Sequence, residues 1–314
     1  MMVRRDFLVC VTAGGVSAAA GGGKVFAYTP KKRHAPSPPP KLDRIAISTW
    51  SLHNYFRATR ESDSTLPGPL LALLDVPELI ADRYRVHHLE FCASQFPSTE
   101  QAYVREMKYT LTRARSTLVN LVVDIKECGR EGTFSDPDPG ARAAAIDAVK
   151  PWIDIAHALG ARSVRVSPGK VDAEDLEPSA ASYKVLAAYA LARGVLVLVE
   201  NLGDFGADNP EELVKLFQLT GPGRLGALPD LGNFADGPTR QKGLKLLFPY
   251  ASSVCHAKGL EFDASGVETA YDFPQAVEIS KHSAFRGLYS IEFEGSGDPY
   301  QGVQKTLDEL LKYL

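Results

Sequence analysis

The chain has 314 residues, 45% of them hydrophobic and 23% charged, which supplies a full core and excludes general disorder. Its 35 Lys/Arg and 38 Asp/Glu give a formal net charge of -3, so no global electrostatic attraction for nucleic acid is expected. Four scattered cysteines, Cys10, Cys92, Cys128 and Cys255, make neither a disulfide framework nor CxxC metal pairs, and read as small buried hydrophobes.

The first forty residues differ in kind from the rest. Arg4-Arg5-Asp6-Phe7-Leu8, an Ala/Gly/Val stretch through Gly23 and a small-residue site near Val25-Phe26-Ala27 resemble a twin-arginine export signal over residues 1–27. The apolar run is too short and glycine-rich for a transmembrane helix. A periplasmic protein without a stable membrane anchor is therefore expected. Residues 28–43, with Lys31-Lys32-Arg33 and the prolines between 36 and 40, read as a linker. Beyond residue 40, 29 basic side chains face 37 acidic ones, a net charge of -8, which argues further against a nucleic-acid partner.

Strand-like apolar runs then follow near residues 44–49, 87–91, 118–124, 162–167, 195–200, 224–229, 252–257 and 287–293. Amphipathic stretches at 76–85, 99–116, 139–159, 179–193, 209–220, 239–249, 271–284 and 299–313 alternate with them. Asn209-Pro210-Glu211-Glu212 offers a helix N-cap, a first-turn proline and early acids. Gly160, Gly194 and Gly287 fall between helix and strand, where a C-terminal glycine cap belongs. The segment from His53 to Asp75 is long for a βα loop, as lids and specificity loops often are. Eight strand–helix repeats predict a single-domain (β/α)8 TIM barrel over residues 44–314. A doubly wound sheet is the alternative, but no glycine-rich phosphate fingerprint follows the first strand.

Four consecutive runs end in a group that can bind a metal. Leu196-Val197-Leu198-Val199 ends in Glu200-Asn201, Leu225-Gly226-Ala227-Leu228-Pro229 in Asp230, Ser253-Val254-Cys255 in His256, and Leu288-Tyr289-Ser290-Ile291 in Glu292. Three carboxylates and an imidazole at neighbouring strand ends suit a hard or borderline divalent cation at the C-terminal mouth of the barrel.

From about Arg44 onward the chain resembles the xylose-isomerase-like TIM-barrel superfamily, sugar isomerase/epimerase branch. The matching motifs are Glu200-Asn201-Leu202-Gly203, Pro229-Asp230-Leu231-Gly232-Asn233, His256-Ala257-Lys258 and Ser290-Ile291-Glu292-Phe293-Glu294-Gly295. The resemblance implies one divalent ion (Mn, Zn, Mg or Co) held by Glu200, Asp230, His256 and Glu292, with Glu200 and Glu292 also exchanging protons with a small carbohydrate. The chemistry of the residues agrees. Moving a proton beside a carbonyl needs a base, epimerisation needs a second group on the opposite face, and the enediolate needs electrostatic stabilisation.

Further candidates surround this quartet. Lys258 shares strand parity with His256 and is read either as a substrate contact or as a rim lysine. Glu294 shares parity with Glu292 and is an alternative fourth ligand. Glu90 and Arg165 either line the pocket or form a buried pair. Asn233 stands where many members of the superfamily carry histidine. Trp50 and His53 leave the first strand, where an aromatic can stack on a sugar or close the barrel core. His87, His88, His157 and His282 read as structural or exposed.

A lyase or hydratase acting on a keto-sugar or keto-glycoside is the nearest rival, since it needs the same proton abstraction. An abasic-site endonuclease of the same superfamily needs extra histidines, including on the third strand, where Leu118 to Asp124 has none, and Asn233 rather than histidine follows Asp230; a non-catalytic sugar-binding barrel would not need the quartet. Export favours an unphosphorylated substrate. The sequence leaves a homo-oligomer open.

Overall fold

The computed structural model describes residues 41–314 apart from 63, 67, 127–133 and 284. The export-signal reading, the linker up to residue 40 and two of the cysteines, Cys10 and Cys128, lie outside the described residues.

Eight parallel strands form one sheet: β1 (Ile45–Ser48), β2 (His88–Cys92), β3 (Thr117–Val123), β4 (Ser163–Val166), β5 (Leu196–Glu200), β6 (Leu225–Leu228), β7 (Val254–Gly259) and β8 (Leu288–Phe293). Their order is β6-β5-β4-β3-β2-β1-β8-β7. The ring is closed between β6 and β7 not by a ladder but by one parallel bridge, Asp230 with His256. Two backbone hydrogen bonds make that bridge, His256 N to Pro229 O (2.9 Å) and Leu231 N to His256 O (3.1 Å). The strands thus form a nearly closed (β/α)8 barrel whose seam is fastened at the strand ends that carry Asp230 and His256.

The helices are α1 (Val76–Tyr84), α2 (Gln101–Arg113), α3 (Pro139–Leu159), α4 (Glu177–Leu191), α5 (Pro210–Thr220), α6 (Gly237–Leu247), α7 (Phe273–His282) and α8 (Pro299–Tyr313). Four begin at an aspartate whose carboxylate accepts a first-turn N–H, namely Asp138, Asp236, Asp272 and Asp298, each with proline at the first or second helical position. This satisfies otherwise orphaned donors and presets the backbone. Asn209 departs from expectation: it precedes Pro210 at the start of α5, but its side chain makes no capping bond.

Strand alternation divides the apolar residues in two. Ile45, Ile47, Val197, Val199, Cys255, Ala257, Tyr289 and Ile291 face the helices in the main core. Leu198, Leu228 and Val254, with Leu196 against them, form a separate small cluster on the parity of Glu200 and His256. The same inward face is therefore apolar low in the barrel and ionic at its C-terminal mouth.

Gly160 and Gly194 adopt φ of +90° and +70°, as helix-ending glycines do. Gly287 is corrected: it is not left-handed, and it is glycine because a Cβ there would lie 2.4 Å from Ser253 O. The segment from His53 to Asp75 is more structured than a loop. It holds 3-10 turns at Thr49–Tyr55 and Leu73–Asp75, buries Tyr55, Phe56 and Leu73, and returns through Leu71 N to Tyr55 O at 2.8 Å. Cys92 and Cys255 are free and buried, as expected. Among the described residues no helix is long and apolar enough to cross a membrane.

Candidate metal centre

Glu200 closes β5, Asp230 follows β6, His256 sits within β7 and Glu292 within β8. All four are buried, and one donor atom from each lies within 4.8 Å of the others. An ion with bonds of ~2.0–2.2 Å holds opposite donors at most about 4.4 Å apart, so the quartet needs only a small contraction to close on one.

His256 is the centre of the cluster. Its Nδ1 lies 3.1 Å from Glu200 Oε1, 3.3 Å from Glu292 Oε2 and 3.6 Å from Asp230 Oδ2. Its Nε2 points the other way, 2.8 Å from Glu90 Oε1. Asp230 is fixed by an Asx turn in which its Oδ1 accepts the N–H groups of Gly232 (2.7 Å) and Asn233 (3.0 Å). The turn also requires glycine at 232, because a Cβ there would meet Lys258 Cβ and Cγ at 2.8 Å. Asn201 ties β5 to the strand end beside it, accepting Asp230 N (2.8 Å) and donating to Asp230 O (3.1 Å).

Two carboxylate oxygens of the quartet are buried without a hydrogen-bond partner, Asp230 Oδ2 and Glu200 Oε2. Glu200 Oε2 touches Arg165 Nη2 at 2.7 Å as an ion-pair contact. Asp230 Oδ2 lies 3.3 Å from Lys258 Nζ. Buried acceptors left in this way are costly unless a cation satisfies them. Three carboxylates and one imidazole are also a donor set that Mn, Zn, Mg and Co accept. The residues fit a divalent ion.

The electrostatics run in one direction. Burial alone would neutralise His256, but Glu292, Glu90 and Glu200 hold it well above the ordinary imidazole range. Burial likewise opposes ionisation of Glu292, yet His256 and Lys258 keep it well below the usual carboxylate range. Glu90 is held lower than normal against burial by His256 and by the Asn120 amide. Lys258 and Arg165 are both pushed upward, burial notwithstanding, by the surrounding carboxylates. The cluster is a set of mutually supporting charges.

The remaining candidates divide into those at the rim and those beneath it. Lys258 is not a snorkelling rim residue. It is 2% exposed, with Nζ 2.7 Å from both Glu292 Oε2 and Glu294 Oε2. Glu294 stands outside the quartet, engaged by Lys258 and by Trp50 Nε1, so Glu292 is the carboxylate that joins the other three. Trp50 and His53 form one stacked unit with ring centroids 4.9 Å apart. Asn233 Nδ2 donates to Glu200 Oε1 at 3.2 Å. Arg165 reaches the opening above Glu200, beside Ser167, Gly169, Leu202 and Phe205. Glu90 corrects the expectation of a pocket-lining group: it has no accessible surface and lies behind His256. Asn201 and Asn120 went unassigned in the sequence. Asn120 left a visible signal, a lone amide inside the apolar run Leu118 to Val123.

The family model described as xylose isomerase-like TIM barrel matches residues 84–313. The chain belongs to this family. Solved structures with the same fold include a xylose isomerase-like TIM barrel protein from Mycobacterium smegmatis in complex with magnesium, at 15% identity and TM-score 0.62, covering 86% of this chain and 96% of that one. D-psicose 3-epimerase from Clostridium cellulolyticum H10, solved with D-tagatose, aligns at 16% identity and TM-score 0.61 over 85% and 95% of the two chains. An AP endonuclease, family 2, from Brucella melitensis aligns at 16% identity and TM-score 0.60 over 83% and 96%. No curated protein matches the sequence. This member of the xylose isomerase-like family thus shares its barrel with proteins of differing activity, and its own site must carry the functional argument.

Proposed function

We propose that the protein is a divalent-metal-dependent isomerase or epimerase acting on an unphosphorylated sugar or sugar derivative, by proton abstraction next to a carbonyl. The observation that carries this reading is the buried quartet Glu200, Asp230, His256 and Glu292, with two of its carboxylate oxygens left without a hydrogen bond. Bound there, the ion would orient the substrate's oxygens and stabilise negative charge developing on them.

The chain's own residues divide the remaining work. Glu292 is kept ionised beside Lys258 and His256, the protonation state a base needs. Glu200, from a strand three places away around the ring, is held by Arg165 and Asn233 to serve the other face of the reacting carbon. The stacked Trp50–His53 pair at the rim offers an apolar wall.

The charge supports an unphosphorylated substrate. The carboxylates of Glu90, Glu200, Asp230, Glu292 and Glu294 outnumber Lys258 and Arg165 by three. A divalent ion leaves about one negative charge, which does not attract phosphate. The export signal read in the sequence of residues 1–27 supports a periplasmic reaction, which agrees with this.

A second reading, lyase or hydratase action on a keto-glycoside, is favoured by one feature. A cleft of about 560 Å³ between Lys170, Val171, Leu202, Gly203, Asn209 and Glu212 adjoins the opening at Arg165 and Glu200 and has room for a second ring. Incubating metal-loaded protein in heavy water with unphosphorylated aldoses, ketoses and keto-glycosides separates the two. Deuterium at one carbon of an otherwise intact sugar supports isomerase or epimerase action. Loss of the leaving group supports the lyase, and no incorporation from any of the panel contradicts both.

A further inference from the structure

A line of hydrogen bonds inside the barrel serves none of the proton transfers proposed above. His256 Nε2 donates to Glu90 Oε1 (2.8 Å), Asn120 Nδ2 donates to Glu90 Oε2 (2.9 Å), and Ser163 Oγ donates to Asn120 Oδ1 (2.7 Å). Ser253 Oγ follows, 2.9 Å from Ser163 Oγ. Glu90, Asn120 and Ser163 are register partners on β2, β3 and β4. Together with His256 on β7 they have no accessible surface, so none of the three partners of the line can touch a substrate.

The direction of each bond follows from the chemistry of the groups. An ionised carboxylate only accepts, so Asn120 turns its NH2 to Glu90 and its carbonyl to Ser163. The Ser163 proton is then engaged, and Ser253 donates to Ser163. Glu90 Oε1 takes the Nε2–H of His256, so when the imidazole becomes neutral to bind a cation its remaining proton stays on Nε2 and the lone pair of Nδ1 faces Glu200, Asp230 and Glu292. Without an acceptor at Nε2, a neutral imidazole would place its proton on Nδ1, donating to Glu200 or Glu292, and an incoming cation would have to displace it.

We infer that Glu90 is a positioning residue, locked by Asn120 and Ser163, which fixes the tautomer and orientation in which His256 serves as a ligand. The inference rests on the metal-binding reading of the quartet. Its loss should weaken metal binding by roughly 10–100-fold, the range typical of groups that orient a ligating histidine. A carboxamide at position 90 behaves differently from an apolar side chain. In Glu90→Gln the carbonyl still accepts from His256, while Asn120 flips and Ser163 rotates to accept from it, so every group keeps a partner.

The test is cobalt titration of the full chain, followed by visible absorption, for wild type, Glu90→Leu, Glu90→Gln and Asn120→Leu, with the fold of each metal-free protein checked by circular dichroism. The expected order is wild type tightest, Glu90→Gln within about tenfold of it, Asn120→Leu several-fold weaker again than Glu90→Gln, and Glu90→Leu weakest, near 100-fold below wild type, with an altered cobalt spectrum. A folded Glu90→Leu protein with wild-type affinity and spectrum overturns the inference, as does a Glu90→Gln protein as weak as Glu90→Leu. If Glu90→Leu does not fold, the other two decide: Asn120→Leu below Glu90→Gln supports the inference, and wild-type affinity in both overturns it. A wild type that binds no cobalt overturns the metal reading itself, and this inference with it.

Discussion

Lys258 is the side chain whose loss should most change the balance of the site. Its ammonium is 2% exposed and lies 2.7 Å from Glu292 Oε2, 2.7 Å from Glu294 Oε2 and 3.3 Å from Asp230 Oδ2. At an effective dielectric of ~20, a pair 2.7 Å apart interacts by about 6 kcal/mol, most of which desolvation offsets. Lys258→Met keeps the volume and removes the charge, leaving Glu292 and Asp230 buried with His256 as the remaining cation beside them. Breaking a buried pair in this way costs about 3–5 kcal/mol. Glu294 adds little, because its side chain is 35% exposed and water screens it. The metal-free variant should therefore unfold about 3–5 kcal/mol more easily than metal-free wild type in urea. A bound ion supplies the missing positive charge, so saturating manganese or zinc should restore more stability to the variant than it adds to wild type. Paired denaturation curves with chelator and with metal measure both effects. A loss below about 1 kcal/mol without metal, or equal gains with it, would refute the claim that Lys258 and the ion answer the same buried charge.

Three other outcomes are expected. Glu200→Gln and Glu292→Gln should each lower turnover by roughly 10²–10⁴-fold while keeping much of the metal, since the amide can still ligate but cannot act as a base; deuterium exchange near the wild-type rate in both metal-loaded variants would make these residues ligands alone. Asn201→Ala removes two buried hydrogen bonds to the backbone of Asp230 at the barrel seam and should destabilise by about 1–3 kcal/mol, which urea denaturation would contradict by returning a wild-type midpoint. Replacing Arg4 and Arg5 by lysine should leave the protein in the cytoplasm, and cell fractionation that still finds it in the periplasm would reject the export reading.

The sequence made the barrel legible because its two periodicities are clean. Each buried parallel strand is a short apolar run, each helix an amphipathic one, and the predicted strands overlap all eight observed. The quartet was legible for a related reason: an acid or histidine at the end of a strand that is otherwise apolar has no partner within its own run. What escaped were relations across the ring. Glu90 reads as a strand-end acid like Glu200, and only the closed barrel shows it behind His256 with no route to solvent. Asn120 and Ser163 acquire meaning only as register partners of Glu90. Gly287 looked like a helix cap because its need for a bare Cα comes from Ser253 O, 34 positions earlier in the chain. Lys258 read equally as a substrate contact or a rim lysine because its three acidic neighbours come from two other strand ends.

The most direct test of the metal site is the metal content of the purified full chain, measured by elemental analysis beside His256→Ala. Removing His256 deletes the only nitrogen of the quartet, the atom that lies within 3.6 Å of all three carboxylates. The account predicts one divalent ion per chain in wild type and a marked loss in the variant. Equal metal content in the two proteins would contradict it.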